Sequence, residues 1–229
     1  MKYSCIIASY NPNKEWLYRA VESANSLFNE IVVVNDGTED TDIFYDLHKA
    51  VDVKKTKLTL IDKSHNRGAW NARNEAINFC TGDIICVLDD DDYFDKKGVQ
   101  KLKELIESNS EVASYDIWCF YLKEFNESDG IYGEGADPKT LEEFNSIPAM
   151  SWYKKSAWKD IGGYKNVTTE DWLLWLQMHK KEKRFYFFKD IVYNYNVRSN
   201  SMSRTWVGLR FEEVRQEVLA HADDYEEDI

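Results

Sequence analysis

Four times in its first 110 residues the chain passes through a short, almost wholly apolar run and then into a segment with helical spacing. The runs lie at residues 3–10 (YSCIIASY), 30–34 (EIVVV), 57–61 (KLTLI) and 83–88 (DIICVL). Runs without polar alternation suit strands covered on both faces, which is the situation of a parallel sheet. The segments that follow them, at 14–28, 42–50, 70–80 and 97–108, read as helices; apolar residues share one face in the first (Trp16, Leu17, Ala20, Val21, Ala24 and Leu27) and in the last (Leu102, Leu105 and Ile106). Strand and helix in regular alternation predict an α/β fold with a mostly parallel central sheet flanked by helices. The 229 residues are enough for one large domain with a real core.

After residue 110 the rhythm breaks. Residues 111–125 are strand-rich and aromatic, and residues 126–146 carry the Gly, Pro, Asp and Asn of a long loop. A short strand at 149–153, a Trp- and Leu-rich helix at 169–181, strands at 185–188 and 191–195, and a polar helix at 206–225 with an acidic end complete the expected layout. No repeat and no low-complexity linker divides the chain. The simplest division is one domain with a nucleotide-type half (1–110), an irregular second half (111–205) and a C-terminal helix and tail (206–229).

A net charge of −12 argues against broad nucleic-acid binding, which needs a basic face, and against adhesion to anionic membrane. The basic run at residues 180–184 reads as a solvated helix end. Cys5, Cys80, Cys86 and Cys119 form no C-x-x-C pair, and three lie in apolar β-like runs, so buried thiols in a reducing compartment are expected. No signal-peptide pattern and no stretch of membrane-span length is present, so a cytoplasmic location is expected.

In open α/β sheets ligands gather beyond the carboxyl ends of the strands. The first strand ends in Ser9-Tyr10-Asn11-Pro12, the second in Asn35-Asp36-Gly37, and the fourth in Asp89-Asp90-Asp91-Asp92. Neither G-x-G-x-x-G nor G-x-x-x-x-G-K-[ST] occurs. A phosphate ligand facing carboxylates without such a loop needs a divalent cation between them, and Mg²⁺ or Mn²⁺ suits one or two carboxylates plus phosphate oxygens. A calcium loop is excluded because Phe94 stands where its glycine belongs. A solvated acidic turn at the start of the next helix, with Asp92 on the helix dipole, is the competing reading of the four aspartates. The N-D-G turn would also suit a hairpin, but the charged, helix-like segment after it favours a strand-to-helix turn.

These pieces together resemble family 2 glycosyltransferases with the GT-A (Rossmann-like) nucleotide-diphospho-sugar transferase fold. "CIIASYN", "EIVVVNDGTEDTD", "NRGAWNARNEAI", "GDIICVLDDDDYF" and "IGGYKNVTTEDWLLWLQ" follow one another in the order of that family's motifs. The resemblance implies that Ser9, Tyr10, Asn11 and Asp36 meet the base of a UDP-sugar, and that Asn66 and Arg73 lie near the nucleotide. It implies Asp89 and Asp91 as a D-x-D pair at the metal, with Asp91 ligating it directly and Asp89 or Asp90 toward the ribose. It also makes Asp171, beside Glu170, the base of an inverting transfer, and residues 111–205 the acceptor-binding half. The family often ends in Y-R-x-H-x-x-S-x-S; here "YNVRSNSMS" puts Asn196 and Arg198 at the arginine and histidine positions. Arginine cannot ligate a metal but can neutralise a diphosphate.

Trp152 and Trp172 are expected to line an acceptor site, whereas Trp175 reads as core. The acceptor itself stays open among glycan, lipid-linked sugar, protein and modified nucleic-acid base. Three other functions compete. A sugar-phosphate nucleotidyltransferase would want a Gly-rich turn after the first strand. A processive synthase would want membrane spans and Q-x-x-R-W, of which Arg204-Thr205-Trp206 is a faint echo. A non-catalytic sugar-nucleotide binding protein is discouraged by the intact D-x-D and E-D pairs.

Overall fold

The computed structural model describes residues 1–199 and 210–225. Among these, strands β1 (Tyr3–Ser9), β2 (Glu30–Asn35), β3 (Lys57–Asp62) and β4 (Ile84–Val87) pair in parallel in the order β3-β2-β1-β4. Every residue of β2 and β4 is buried, as their unbroken apolar runs require, while the edge strand β3 is half exposed. Helices α1 (Lys14–Ala24), α2 (Asp42–Tyr45) and α3 (Ala69–Phe79) connect these strands. Asn13 starts α1 by accepting the backbone N–H groups of Glu15 and Trp16. The helix expected over 42–50 is only one turn of α-helix followed by a 3₁₀ turn, Asp46–Ala50.

Beyond β4 the sheet continues through antiparallel strands, β8 (Trp152–Lys154) against β4 and β6 (Ile117–Asn126) against β8. Strand β9 (Phe185–Val197) runs parallel to β6, and the two-residue β5 (Tyr93–Phe94) pairs with β9. Strand β7 (Ile131–Tyr132) hangs on β6 outside the main order. The central sheet is therefore mixed, with its parallel part under the first half of the chain.

Two expected strands, at 185–188 and 191–195, are one strand with a register shift opposite Phe120 and Tyr121. Helix α4 (Lys96–Ser108) crosses this irregular strand so closely that a Cβ on Gly98 would collide with the Ile191 carbonyl. Residues expected as strand at the start of 111–125 instead form helix α5 (Ser110–Ser114), because Asn109 caps the N–H groups of Glu111 and Val112. Helices α6 (Lys155–Asp160), α7 (Glu170–Lys180) and α8 (Phe211–Ala220) complete the described elements. The helix expected at 206–225 is thus shorter where it is described. Residues 206–209, the end of the tail at 226–229 and the Arg204-Thr205-Trp206 echo lie outside the described residues.

Trp152 sits at the centre of the core. Its ring meets Tyr3, Phe28, Phe94 and Phe120 at centroid distances of 6.0, 5.7, 6.4 and 5.9 Å, all edge-on. It is fully buried, which corrects the expectation that it lines an acceptor site. Trp172 is corrected for the same reason: its indole N–H donates to the Leu141 carbonyl at 2.7 Å and its ring stacks on Phe211. Trp175 is core, as expected. All four cysteines are free and buried, and burial pushes their thiols upward.

Candidate active site

The ends of β1, β2 and β4 lie side by side, because Ser9 pairs with Asn35 in register and β4 flanks β1 on its other side. Beyond them opens a cleft of 370 Å³. Asp89, Asp90 and Asp91 line it together with Glu170 and Asp171, and Arg73, Asn196 and Arg198 are among its other polar residues. Residues more than 70 positions apart in sequence thus share one cavity.

Each aspartate of the run has its own partner. Asp89 Oδ1 takes a guanidinium N–H of Arg73 at 2.9 Å. Asp90 Oδ2 accepts the Ser9 hydroxyl at 2.6 Å. Asp91 Oδ2 pairs with Arg198 Nη2 at 2.5 Å, and its backbone carbonyl accepts Arg19 Nη2 at 2.8 Å. Asp92 is wholly buried and accepts the Tyr193 hydroxyl and the Asn196 backbone N–H. The expectation that Asp92 begins a helix is corrected: Asp95 is the cap of α4, through the Gly98 N–H. Asp92 instead anchors β9 beneath the cleft.

Burial, and then repulsion from Asp91 and Asp89, pushes the Asp90 carboxyl up to about 7 against the pull of Ser9. Burial and Asp89 likewise raise Asp91, with Arg198 and Arg19 opposing. Such a crowd of destabilised carboxylates is a place where positive charge is favoured.

On the opposite wall, Glu170 and Asp171 open α7. Glu170 Oε1 meets Arg73 Nη1 at 2.5 Å, and Asp171 Oδ2 accepts the Asn145 side-chain amide at 2.9 Å. Burial raises both carboxyls above their ordinary values, with Arg73 opposing. Arg73 itself is buried; burial would pull it down, but Glu170 and Asp89 outweigh that and hold it well above the usual arginine value.

Asp36 lies where the resemblance puts it, at the end of β2, but its carboxylate faces inward. It binds Lys63 Nζ at 2.5 Å, the Gly68 N–H at 2.9 Å and the Arg67 N–H at 3.2 Å. Gly37, at φ +89°, lets the loop after β3 pass directly over the turn, since a Cβ there would collide with His65 and the Asn66 N–H. Asn66 is exposed and accepts the Gly68 N–H, shaping the same loop. Tyr10 and Asn11 border a second cavity with Gly37 and Thr38, and the Asn11 N–H donates to the Thr38 hydroxyl.

Sequence reasoning missed Arg19, Asn145, Lys63 and Tyr193. None belongs to a local pattern with its partner; Arg19 reads as an ordinary polar residue of α1. The basic run at 180–184 is a structural surface, where Lys180 and Lys183 pair with Asp223 and Asp160.

No three His, Cys, Asp or Glu side chains among the described residues converge as a ready-made metal site. The donor set still suits a hard divalent cation: Asp89, Asp90 and Asp91 each keep a carboxylate oxygen without a partner named above. One or two carboxylates with phosphate oxygens are what Mg²⁺ and Mn²⁺ ordinarily take.

A mixed sheet whose parallel half ends in acidic turns, facing a second acidic pair across a cleft, is the α/β GT-A fold of nucleotide-sugar enzymes. The solved structures bear this out. S. aureus TarS 1–349, solved in complex with UDP-GlcNAc, superposes with a TM-score of 0.73 at 20% identity over 99% of this chain and 68% of that one. Mannosyltransferase PcManGT from Pyrobaculum calidifontis, solved with GDP-Man and Mn²⁺, gives 0.70 at 15% identity over 96% of this chain and 64% of that one. The family model "Glycosyl transferase family 2" matches residues 4–162, and the chain belongs to that family. The uncharacterized glycosyltransferase MJ1057 of Methanocaldococcus jannaschii is 23% identical over 215 residues, 88% of this chain and 73% of that protein. Glycosyltransferase GlyA of Streptococcus pneumoniae is 26% identical over 199 residues, 77% of this chain but 27% of its own length. No helix among the described residues is long and apolar enough to cross a membrane.

Proposed function

We propose that this chain transfers a sugar, with inversion, from a UDP-sugar to an acceptor hydroxyl. The observation that carries the reading is the cleft itself, in which Asp89–Asp91 and Glu170–Asp171 face one another. TarS and PcManGT, whose fold this chain shares, were solved with nucleotide-sugars, which supports that class of donor.

The acceptor oxygen attacks the anomeric carbon, its proton passes to the Asp171 carboxylate, and the bond from the anomeric carbon to the diphosphate breaks. Burial suits Asp171 to this task, because a carboxylate with raised proton affinity is a better base near neutrality than one near 4. Asn145 holds Oδ2 of Asp171, whose carboxyl lines the cleft that the acceptor enters. Glu170 is committed to Arg73 and orients the start of α7. Arg198 meets the charge of the departing nucleoside diphosphate. A divalent cation held by Asp91 and Asp89 would add Lewis-acid stabilisation of that leaving group. With Trp152 and Trp172 in the core, the acceptor side is built from Ala149, Met150, Thr168 and Tyr195. Tyr132, half-exposed beside this cleft, is near enough to belong there: the buried part of its side chain raises the hydroxyl, and the charge of Asp171 adds to the shift.

Calorimetric titration with UDP and GDP, each with and without Mn²⁺, tests the donor. UDP binding strengthened by Mn²⁺, with GDP much weaker, is the expected result. Equal or absent binding of both nucleotides overturns the UDP assignment.

A further inference from the structure

Arg198 sits where a cation is wanted. It follows the last residue of β9, and its Nη2 lies 2.5 Å from Asp91 Oδ2. Its guanidinium carbon lies 5.3 Å from the centre of the Trp16 ring, and its Nε has no hydrogen-bond partner among the described residues. The neighbouring Asn196 is 3% exposed and lines the same cleft. Its side-chain oxygen accepts from Asn126, but its side-chain N–H₂ also lacks a partner among the described residues. A buried donor left without an acceptor is costly. Two such donors on residues that line one cleft suit an anion as their acceptor.

Charge balance sets the Arg198–Asp91 pairing against a cation on the same carboxylate. A divalent cation on Asp91 would lie within a few ångströms of the guanidinium, and like charges at that spacing repel strongly in a partly buried site. An arriving diphosphate changes this. It offers Arg198 oxygens that match the planar guanidinium fork, and it offers the cation its remaining ligands. The Arg198 side chain is 35% exposed and free to swing, whereas Asp91 keeps only 14% exposure, so the carboxylate must receive a new cation as the guanidinium leaves. Arg19 stays behind. Its guanidinium stacks on Tyr93 and Phe125, at 4.7 and 4.9 Å, and holds the Asp91 carbonyl rather than the carboxylate. The backbone that presents Asp91 is therefore fixed whichever partner the carboxylate has.

We propose that Arg198 is an exchangeable latch. Without a donor it neutralises Asp91. On donor binding it transfers to the diphosphate, with the Asn196 amide as a second contact, and frees Asp91 for a divalent cation. The latch rests on the donor reading above. It makes nucleotide and metal binding mutually dependent, since each removes the other's competitor.

The test uses Mn²⁺ alone and UDP alone as probes, on the wild type, Arg198→Ala and Asp91→Asn, with thermal denaturation to confirm folding. Wild type should bind Mn²⁺ weakly without UDP, and Arg198→Ala should bind Mn²⁺ alone about tenfold more tightly because its carboxylate is unpaired. UDP without metal should bind about tenfold more weakly to Arg198→Ala, the scale of a lost charge-assisted hydrogen bond. Asp91→Asn should instead bind metal-free UDP more tightly, and this gain should shrink when Arg198→Ala is also present. A purely structural ion pair would weaken UDP binding in both single variants, and that result overturns the latch. Unchanged Mn²⁺ affinity in Arg198→Ala overturns it as well, while UDP binding by the wild type keeps the donor reading intact. If folded wild type binds neither UDP nor GDP, the donor reading falls and the latch with it.

Discussion

Arg73 Nη1 lies 2.5 Å from Glu170 Oε1, and this one ion pair ties helix α3 of the first half to helix α7 of the second. The other arm of the same guanidinium holds Asp89 at the end of β4. The two acidic walls of the cleft are thus kept at their distance by a single buried cation, with the Tyr164 ring 5.6 Å from its guanidinium carbon.

Removing that cation leaves two carboxylates unpaired at once. Arg73→Met should lower folding stability by about 3 kcal/mol, the scale for breaking one side of a buried ion pair. Urea denaturation measures it. Arg73→Lys, which cannot span both carboxylates with a rigid fork, should recover only part of the loss. A Met variant as stable as the parent would mean that the bridge is not a structural tie.

General-base catalysis separates the two carboxylates of α7. Asp171→Asn should reduce transfer by at least about 10²-fold while leaving donor affinity intact, because the amide cannot accept a proton. Glu170→Gln should act differently, weakening the bond to Arg73 and lowering stability. Initial rates with a competent acceptor, set beside UDP calorimetry, distinguish the outcomes. Loss of turnover at Glu170 alone would move the base one residue back.

The aspartate run contains a second contrast. Asp92→Ala should destabilise the fold by about 2–3 kcal/mol, since it leaves a buried hydroxyl and a buried N–H without their acceptor. Asp95→Ala should cost about 1 kcal/mol, the usual loss of a helix cap. Thermal denaturation of the two variants gives the order directly, and the reverse order would contradict the assignment of the cap.

The cleft carboxylates also set a direction for pH. Asp90, at about 7, and Asp91, Glu170 and Asp171, all raised, bind protons more tightly in the folded chain than in the unfolded one. Stability is therefore lowest above their folded pKa values and rises as pH falls through them, toward the unfolded carboxylate values near 4. Without added divalent cation, the urea midpoint should be higher at pH 6 than at pH 8. A lower midpoint at pH 6 would show that ion pairs, not burial, dominate these groups.

Local pattern was sufficient for the first half of the fold. Continuous apolar runs and one-faced helices are properties of neighbouring residues, so β1 to β4 and α1, α3 and α4 could be read directly along the chain. The motif order was legible too, and with it the acidic strand ends and the Glu170-Asp171 pair. Tertiary structure decided the rest, for a physical reason: a side chain's role depends on what meets it from distant sequence. Trp152 and Trp172 look like sugar platforms in isolation, yet core aromatic rings surround the first, and Leu141 and Phe211 cover the second. Asp92 and Asp95 look alike in a run of acids, yet only the approach of Tyr193 and Asn196 makes one an anchor and leaves the other a cap. Composition along the chain marked where charge must gather, and folding alone chose the partner each charge received.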